Sequence, residues 1–357
     1  MRSAVNLEFP EILFDTGGSA YRKLAEFLKR YEGWMLVIDD HTNSDCLPLF
    51  TEKFGERPKR THIIHSGDHN KTLERCSSIW TKLTEIKAGR NFALISLGGG
   101  MVSDITGFAA ACYKRGIDYI NIPTSLLAMV DAAHGGKTGV NYKNLKNQVG
   151  VFHMPALVLM DLDYLQFLSP ADLNSGCAEI LKHAILADES EWRKLKDREE
   201  IEKSDDLKDV LRRSVEIKYE FVRKDPVERG ERKVLNFGHT IGHSFESYSH
   251  EKLPVGISHG EAVAAGMIVE SAISADLGLL PEDVYEEIAA SLKARFKLFQ
   301  IDESDLNEVM SYVRHDKKNI DGKFNFTLIK GIGKPVIDQI VEPNTIMAGL
   351  RKYMALF

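Results

Sequence analysis

Cysteine is scarce. Only Cys46, Cys76, Cys112 and Cys177 occur in 357 residues, and no two form a C-x-x-C pair. Their spacing fits neither a zinc module nor a disulfide framework, so reduced thiols in a cytoplasmic protein are the expectation. Basic charge is not in excess either. Lys and Arg number 46 against 52 Asp and Glu, a formal net charge of −6. A nucleic-acid binder that neutralises phosphates is therefore not expected. A small anionic ligand stays open, because local lysines outweigh a weak global charge. Long uncharged apolar runs are missing. The opening "MRSAVNLEFPEILFD" has no signal-peptide core, and "AVAAGMIVESAISADLGLL" is broken by Glu270 and Asp276. That late segment reads as a buried helix rather than a membrane span. Two common signatures are absent as well, G-x-G-x-x-G and H-E-x-x-H.

What is present suits an ordinary globular protein: 43% hydrophobic and 27% charged residues, with length enough for two domains. The first half alternates short apolar runs with amphipathic stretches. Candidate strands are Met35–Asp39, Thr61–Ser66, Phe92–Leu97, Tyr119–Pro123 and Ala156–Leu162. That alternation predicts a mostly parallel sheet covered by helices. After about Leu168 three-to-four-residue apolar spacing dominates, apart from "FNFTLI", a candidate late strand. The expected division is an α/β domain over 1–168 and an α-helical domain over 169–357, joined near "QFLSPADLNSG".

In "ISLGGGMVSDITGFAA", Gly98, Gly99 and Gly100 follow a strand and precede a helix, with Asp104 on its first turn. Glycine admits a pyrophosphate close to the backbone, and the helix start offers free N–H groups. Asp39 ends the first strong strand, where an acid binds a ribose hydroxyl or simply caps a helix. "GDHNK", Gly67 to Lys71, is a loop that would line the same cleft. Further on, Asp131 sits among small residues. "GGKTG" places Lys137 between two turns, and "KNLKN" adds Lys143, Lys146 and Asn147. Lysines among glycines and hydroxyls are suited to an anion.

In the second half, "SGCAEILKHAIL" reads as an amphipathic helix with Glu179 and Lys182 on one face and Glu179 partly buried. A buried carboxylate needs a metal or a lysine as partner. "RKVLNFGHTIGHSFE" puts Arg232, Asn236, His239, His243 and Glu246 at three-or-four-residue steps, a polar stripe of one helix. Gly238 and Gly242, unfavourable inside a helix, suggest close approach of another element. His239 and His243 have the i, i+4 spacing of a metal pair. His259 begins another helix, while His250 and His315 read as ordinary polar residues. Three histidines and a buried-looking glutamate point to a divalent metal site.

Jointly, "GGGMVSDITGFAA", "KRGIDYINIPTSLLAMVDAAHGGKTGVN", "LKNQVGVF", "AEILKHAIL", "RKVLNFGHTIGHSFE" and "SHGEAVAAGM" resemble the 3-dehydroquinate synthases, from about Asp39 to Lys318. The resemblance implies a Rossmann-like α/β domain, then an α-helical domain, with the active site in the cleft between them. It implies bound NAD, one divalent metal (zinc, sometimes cobalt), a homodimer, and no nucleic-acid or membrane partner. The implied substrate is 3-deoxy-D-arabino-heptulosonate 7-phosphate, turned into 3-dehydroquinate and phosphate at the second step of the shikimate pathway. The metal ligands so implied are Glu179, His239 and His259, with His243 a substrate and proton-transfer residue. The NAD site would comprise Asp39, Gly98, Gly99, Gly100, Asp104, Thr124 and Ser125, with Gly67, Asp68, Lys71, Lys137 and Lys146 beside it. Lys137, Asn147, His243 and one of Lys317 and Lys318 would hold the phosphate, Arg115 joining from the partner subunit. Lys218 and Arg232 would take the carboxylate. Asp131, Lys182 and Asn236 would meet ring hydroxyls.

The chain departs from the family pattern at Ser103, at Asp68 where glutamate is usual, and at Phe167 where threonine is usual. Rival readings are another sugar-phosphate cyclase, a metal-dependent alcohol or glycerol dehydrogenase, and a non-catalytic binding protein. Lys218, Arg232 and Asn236 together favour a substrate that carries a carboxylate.

Overall fold

The computed structural model describes residues 8–143, 145–314, 319 and 322–357. The chain divides into two compact units, one ending at Ser169 and one running from Pro170 to Phe357.

The first unit runs β1 (Glu11–Phe14), α1 (Ser19–Leu28), β2 (Gly33–Asp39), α2 (Asp40–Phe54), β3 (Thr61–Ile64), α3 (Leu73–Glu85), β4 (Phe92–Gly98), α4 (Gly100–Cys112), β5 (Asp118–Pro123), β6 (Lys137–Tyr142), β7 (Leu145–Phe152) and β8 (Leu157–Met160). Six strands form one parallel sheet in the order β1-β8-β5-β4-β2-β3. The middle strands are apolar on both faces because helices cover both sides. Met35 and Val37 of β2 join one core with Ile79 and Leu83 of α3 and Val102 and Ile105 of α4. The chain leaves β2 towards β3 and leaves β4 towards β5, in opposite directions along the sheet. The carboxyl ends of β2 and β4 therefore flank a topological switch point, where open α/β sheets bind ligands.

The antiparallel hairpin β6–β7 was not anticipated. β7 is largely exposed on both faces, so no apolar alternation marks it. Lys137 was expected between two turns. It instead opens β6 after the Gly135–Gly136 turn, and Gly139 lies inside the strand opposite Gly150.

The second unit runs α5 (Pro170–Ala187), α6 (Glu189–Leu195), α7 (Leu207–Lys224), α8 (His239–Lys252), α9 (His259–Asp276), α10 (Glu282–Arg295), α11 (Leu306–Arg314), β9 (Phe324–Ile329), β10 (Pro335–Val341) and α12 (Pro343–Met354). It is not purely helical, since β9 and β10 form a hairpin. The central helix is α9, buried at Gly260 and from Ala262 to Ser274 and packed by α5, α8, α10, α12 and β9. Among the described residues no helix is long and apolar enough to cross a membrane.

Two sequence expectations are corrected here. Arg232 and Asn236 do not continue the helix of His239. They lie on a 3₁₀ segment, Glu231–Asn236, and the chain breaks at Phe237 and at Gly238, whose φ of 79° is left-handed. A 3₁₀ turn repeats every three residues and an α turn every 3.6, so the polar spacing hides the break. Nor is α5 amphipathic around Glu179, because every residue from Ser175 to Leu186 is buried.

Candidate active site

Three helices meet where two glycines remove side chains. A Cβ on Gly266 of α9 would lie 1.9 Å from the Gly238 carbonyl at the start of α8. A Cβ on Gly260 would lie 2.3 Å from Ser175 Cα of α5. With backbones this close, Glu179 (α5), His239 (α8) and His259 (α9) bring one ligand atom each within 4.8 Å of one another. Nε2 of His239 is 3.4 Å from Glu179 Oε1, and Nε2 of His259 is 3.5 Å from the same oxygen.

Glu179 is completely buried and Lys182, one turn on, is 1% exposed; the two form an ion pair. Neither carboxylate oxygen accepts a hydrogen bond of sound geometry. Burial works to raise the Glu179 carboxyl, but the charges of Lys182 and His239 overcome it and hold it well below its usual range. His239 is lowered too, by burial first and then by the charge of Lys182. Burial also opposes a charge on His259, yet its contacts with Glu179 and Glu246 push it up to about 10. Two neutral-capable nitrogens and an ionised carboxylate around one point are the donor set of a divalent cation such as zinc.

The outer nitrogens are held as well. His239 Nδ1 is 3.2 Å from the Phe237 carbonyl, which only accepts, so Nδ1 carries the proton and Nε2 the lone pair. His259 Nδ1 is 3.8 Å from Glu246 Oε2. The ring of His243 lies 5.3 Å from that of His239 and 6.3 Å from that of His259, edge-on to the first.

Sequence reading assigned nothing to Glu270, which is fully buried in α9. Its carboxylate accepts from the N–H groups of Gly238 (2.6 Å), Thr240 (3.0 Å) and Ile241 (3.1 Å). It thus caps the start of α8 from a neighbouring helix, where negative charge is favoured. In the sequence Glu270 reads only as a charge interrupting an apolar run.

Lys218 and Arg232 are buried cations on α7 and on the 3₁₀ segment packed against it. Asp225 holds that segment by accepting from the N–H groups of Arg229, Gly230 and Arg232. Burial works to raise the Asp225 carboxyl, but these three N–H groups outweigh it and lower it. Asn236 donates to Glu228 Oε1 at 2.9 Å. Lys317, Lys318 and His315 lie outside the described residues.

In the first unit another group of expected residues comes together. Lys71 bonds both Asp104 and Asn147, and Lys146 is 3.7 Å from Asp68. Asn141 ties β6 to this loop, donating to the Asp68 carbonyl at 2.8 Å and accepting from Asn147 N–H at 2.9 Å. Asn147 holds a left-handed φ of 51°, a strained conformation typical of functional positions. Burial raises the Asp104 carboxyl against the charge of Lys71, and Asp131 and Asp68 add to the rise. Asp131 lies in a short π-helical turn, Ala128–Ala132.

At the switch point Gly98 ends β4, Gly99 precedes α4 without any side-chain cap, and Gly100 begins it. Thr124 N–H donates to the Gly98 carbonyl at 3.1 Å, and Ser125 Oγ accepts from Ala128 N–H at 3.2 Å. Uncapped N–H groups at a strand–helix turn suit a pyrophosphate. Asp39 forms a capping box with Thr42 at the start of α2, the plainer of the two roles open to it. Gly67 has φ 93° and precedes the Asp68–Asn70 turn. Arg115, at φ 71°, stands just before Gly116.

Two family models match end to end: the 3-dehydroquinate synthase N-terminal model over residues 61–175 and the C-terminal model over 176–319. The chain is 39% identical over 339 residues to the 3-dehydroquinate synthase of Parabacteroides distasonis, covering 94% of this chain and 96% of that one. Among solved structures, 2-epi-5-epi-valiolone synthase from Streptomyces hygroscopicus, with NAD+ and Zn2+ bound, superposes with a TM-score of 0.86 at 26% identity over 99% of both chains. A 2-deoxy-scyllo-inosose synthase complexed with carbaglucose-6-phosphate, NAD+ and Co2+ shares the fold, with a TM-score of 0.84 at 24% identity over 96% of each. These two cyclases share the architecture, and the family models together with the Parabacteroides relative show the family: the chain belongs to the 3-dehydroquinate synthases.

Proposed function

We propose that the chain converts 3-deoxy-D-arabino-heptulosonate 7-phosphate into 3-dehydroquinate and phosphate, the second step of the shikimate pathway. The route is transient oxidation, phosphate elimination, reduction, ring opening and intramolecular aldol closure. The observation that carries this reading is Glu179, a fully buried carboxylate on whose Oε1 the Nε2 atoms of His239 and His259 both converge. A structural ion pair needs only Lys182; two further nitrogens make a place for a cation.

The residues fit both groups the reaction requires: zinc, or cobalt in its place, at Glu179, His239 and His259, and NAD along Gly98–Gly100, Thr124 and Ser125, with Asp39, Gly67, Asp68, Lys71 and Asp104 beside it. When bound, NAD supplies a reversible two-electron oxidant and the cation supplies the positive charge that acidifies the substrate's hydroxyl. Three protein ligands leave coordination positions open, as a catalytic site needs.

The side chains supply position and charge. Lys218 and Arg232 bind the carboxylate; Arg232 is pinned through its own backbone by Asp225. Lys137 and Asn147 hold the phosphate, and the left-handed φ of Asn147 aims its amide within the Lys71 cluster. Asp131, Lys182 and Asn236 hold ring hydroxyls, with Lys146 nearby. His243, one helical turn beyond His239, holds the phosphate and moves a proton at its imidazole. Gripping two anionic ends while charge develops between them is electrostatic catalysis, and it explains lysines in a net-acidic chain. Arg115 reaches the phosphate of the partner subunit in a homodimer. All four cysteines are free thiols, in keeping with a cytoplasmic location.

Phosphate release from 3-deoxy-D-arabino-heptulosonate 7-phosphate, with catalytic NAD, tests the reading before and after EDTA. Release that needs metal, with no net NADH accumulating, is expected. Activity on sedoheptulose 7-phosphate instead, or steady NADH formation from a polyol, would move the chain to a rival class.

A further inference from the structure

The two histidines that face Glu179 have different neighbours behind them. Behind His239 stands a neutral carbonyl, Phe237 O. Behind His259 stands a carboxylate, Glu246 Oε2, 3.8 Å from Nδ1. Glu246 lies on α8, two turns after His239 and one after His243, and its side chain is 13% exposed. His259 is the first residue of α9. Its backbone is fixed by a capping box between Ser258 and Glu261, but its side chain is 28% exposed. A capping box fixes the helix start and leaves the ring torsions free. A carboxylate on Nδ1 fixes them. It selects the tautomer with the proton on Nδ1, turns the Nε2 lone pair to the opposite side, and makes that nitrogen a stronger donor.

We propose that Glu246 is a positioning residue for the metal: it grips Nδ1–H of His259 and so aims Nε2 at the point shared with Glu179 and His239. This rests on the metal reading above. It assigns a role to a residue that the substrate and metal assignments leave unused. The same atoms allow a different occupant, since His243, Glu246 and His259 also bring one ligand atom each within 4.8 Å of one another. Nδ1 is the His259 nitrogen nearest Glu246, so a second cation beside Glu246 is taken to bind His259 through Nδ1. The two arrangements exclude each other, because one Nδ1 cannot both carry a proton and ligate.

The test uses the full-length protein loaded with Zn2+ or Co2+. Metal content gives stoichiometry, chelator competition gives affinity, and the visible spectrum of the Co2+ form reports ligand geometry. Glu246→Gln keeps size and an acceptor oxygen but removes charge; Glu246→Ala removes both. One ion per chain is expected in the parent. Affinity should fall about 10–100-fold in Glu246→Ala, the usual effect of losing such a partner, with a smaller fall in Glu246→Gln. The Co2+ spectrum should shift in both, while the melting temperature of the metal-free Glu246→Gln protein stays near the parent's. Excess metal should restore turnover in Glu246→Gln. Unchanged affinity and spectrum in both variants would overturn the inference while leaving the metal reading intact. Two ions in the parent, falling to one in Glu246→Ala, would overturn it in favour of the second site. A parent that takes up no divalent cation would instead sink the metal reading itself.

Discussion

At Glu179 a carboxylate has been taken wholly out of water, which costs several kcal/mol unless charge and hydrogen bonds compensate. Lys182 compensates on one oxygen; His239 and His259 crowd the other. His239 and His243 therefore differ in kind although both lie on one face of α8. His239 points its Nε2 at Glu179, whereas His243 meets the other rings only edge-on or tilted at more than 5 Å between centroids. In His239→Ala, metal and activity should be lost together, with stoichiometry falling from one towards zero. In His243→Ala the metal should stay and turnover should fall about 10²–10⁴-fold, the usual worth of a placed acid or base. Metal analysis beside phosphate release checks both variants. A His243→Ala protein that also lost its metal would refute the division of roles. In the sequence, the i, i+4 spacing alone would have paired these two histidines as ligands. In the fold, the Nε2 of His239 faces Glu179 of another helix at 3.4 Å, in keeping with the ligand set that the family resemblance implies.

Between elements, the joint that matters is α8 against α9. Gly266 admits the backbone of Gly238, and Glu270 then caps α8 from within α9. His239 is the first residue of α8 and His259 the first of α9, so this joint sets the distance between two of the three candidate ligands. Glu270→Ala would leave three N–H groups without their acceptor. At about 1–3 kcal/mol for each buried group left unsatisfied, a loss of at least about 3 kcal/mol is expected in urea unfolding, together with weaker metal binding. A loss below about 0.5 kcal/mol, the range of surface substitutions, would mean that water or backbone rearrangement replaces the cap. Legibility at this scale mostly followed burial, although the half-exposed edge strand β3 was also read from its sequence. Strands β2, β4, β5 and β8 were readable because helices on both faces make them continuously apolar. The four-residue β1, the polar hairpin β6–β7 and β10, which carries a bulge at Asp338, show no such run and escaped. The break at Gly238 escaped because spacing alone does not reveal a left-handed φ. The tertiary cap by Glu270 escaped because its partners lie about thirty residues away in sequence.

Across the whole molecule, the two ligand sets sort by unit. The glycine turn at the switch point and the Lys71 cluster belong to the first unit; Glu179, His239 and His259 belong to the second. This sorting is visible in the motif order alone, since the glycine loop precedes Ser169 and all three candidate metal ligands follow it. A ligand stabilises the state that binds it by RT ln(1 + [L]/Kd), about 2.7 kcal/mol at a hundred times Kd. That free energy is expressed first where the ligand's own contacts lie, because proteins open in local cooperative pieces. Adding Zn2+ to the metal-free protein should therefore slow amide hydrogen exchange in α5, α8 and α9, most of all in the first turn of α8 that Glu270 caps. Saturating NAD should instead slow exchange in the β4–α4 turn and at Lys71 and Asn147. The signature is a crossed pattern measured peptide by peptide: metal protects the second unit, NAD the first. Uniform protection of both units by either ligand would mean that the chain opens only as one cooperative body. Metal protection confined to the Lys71 cluster would place the ion with Asp68 and Asp104 and remove Glu179 from the chemistry.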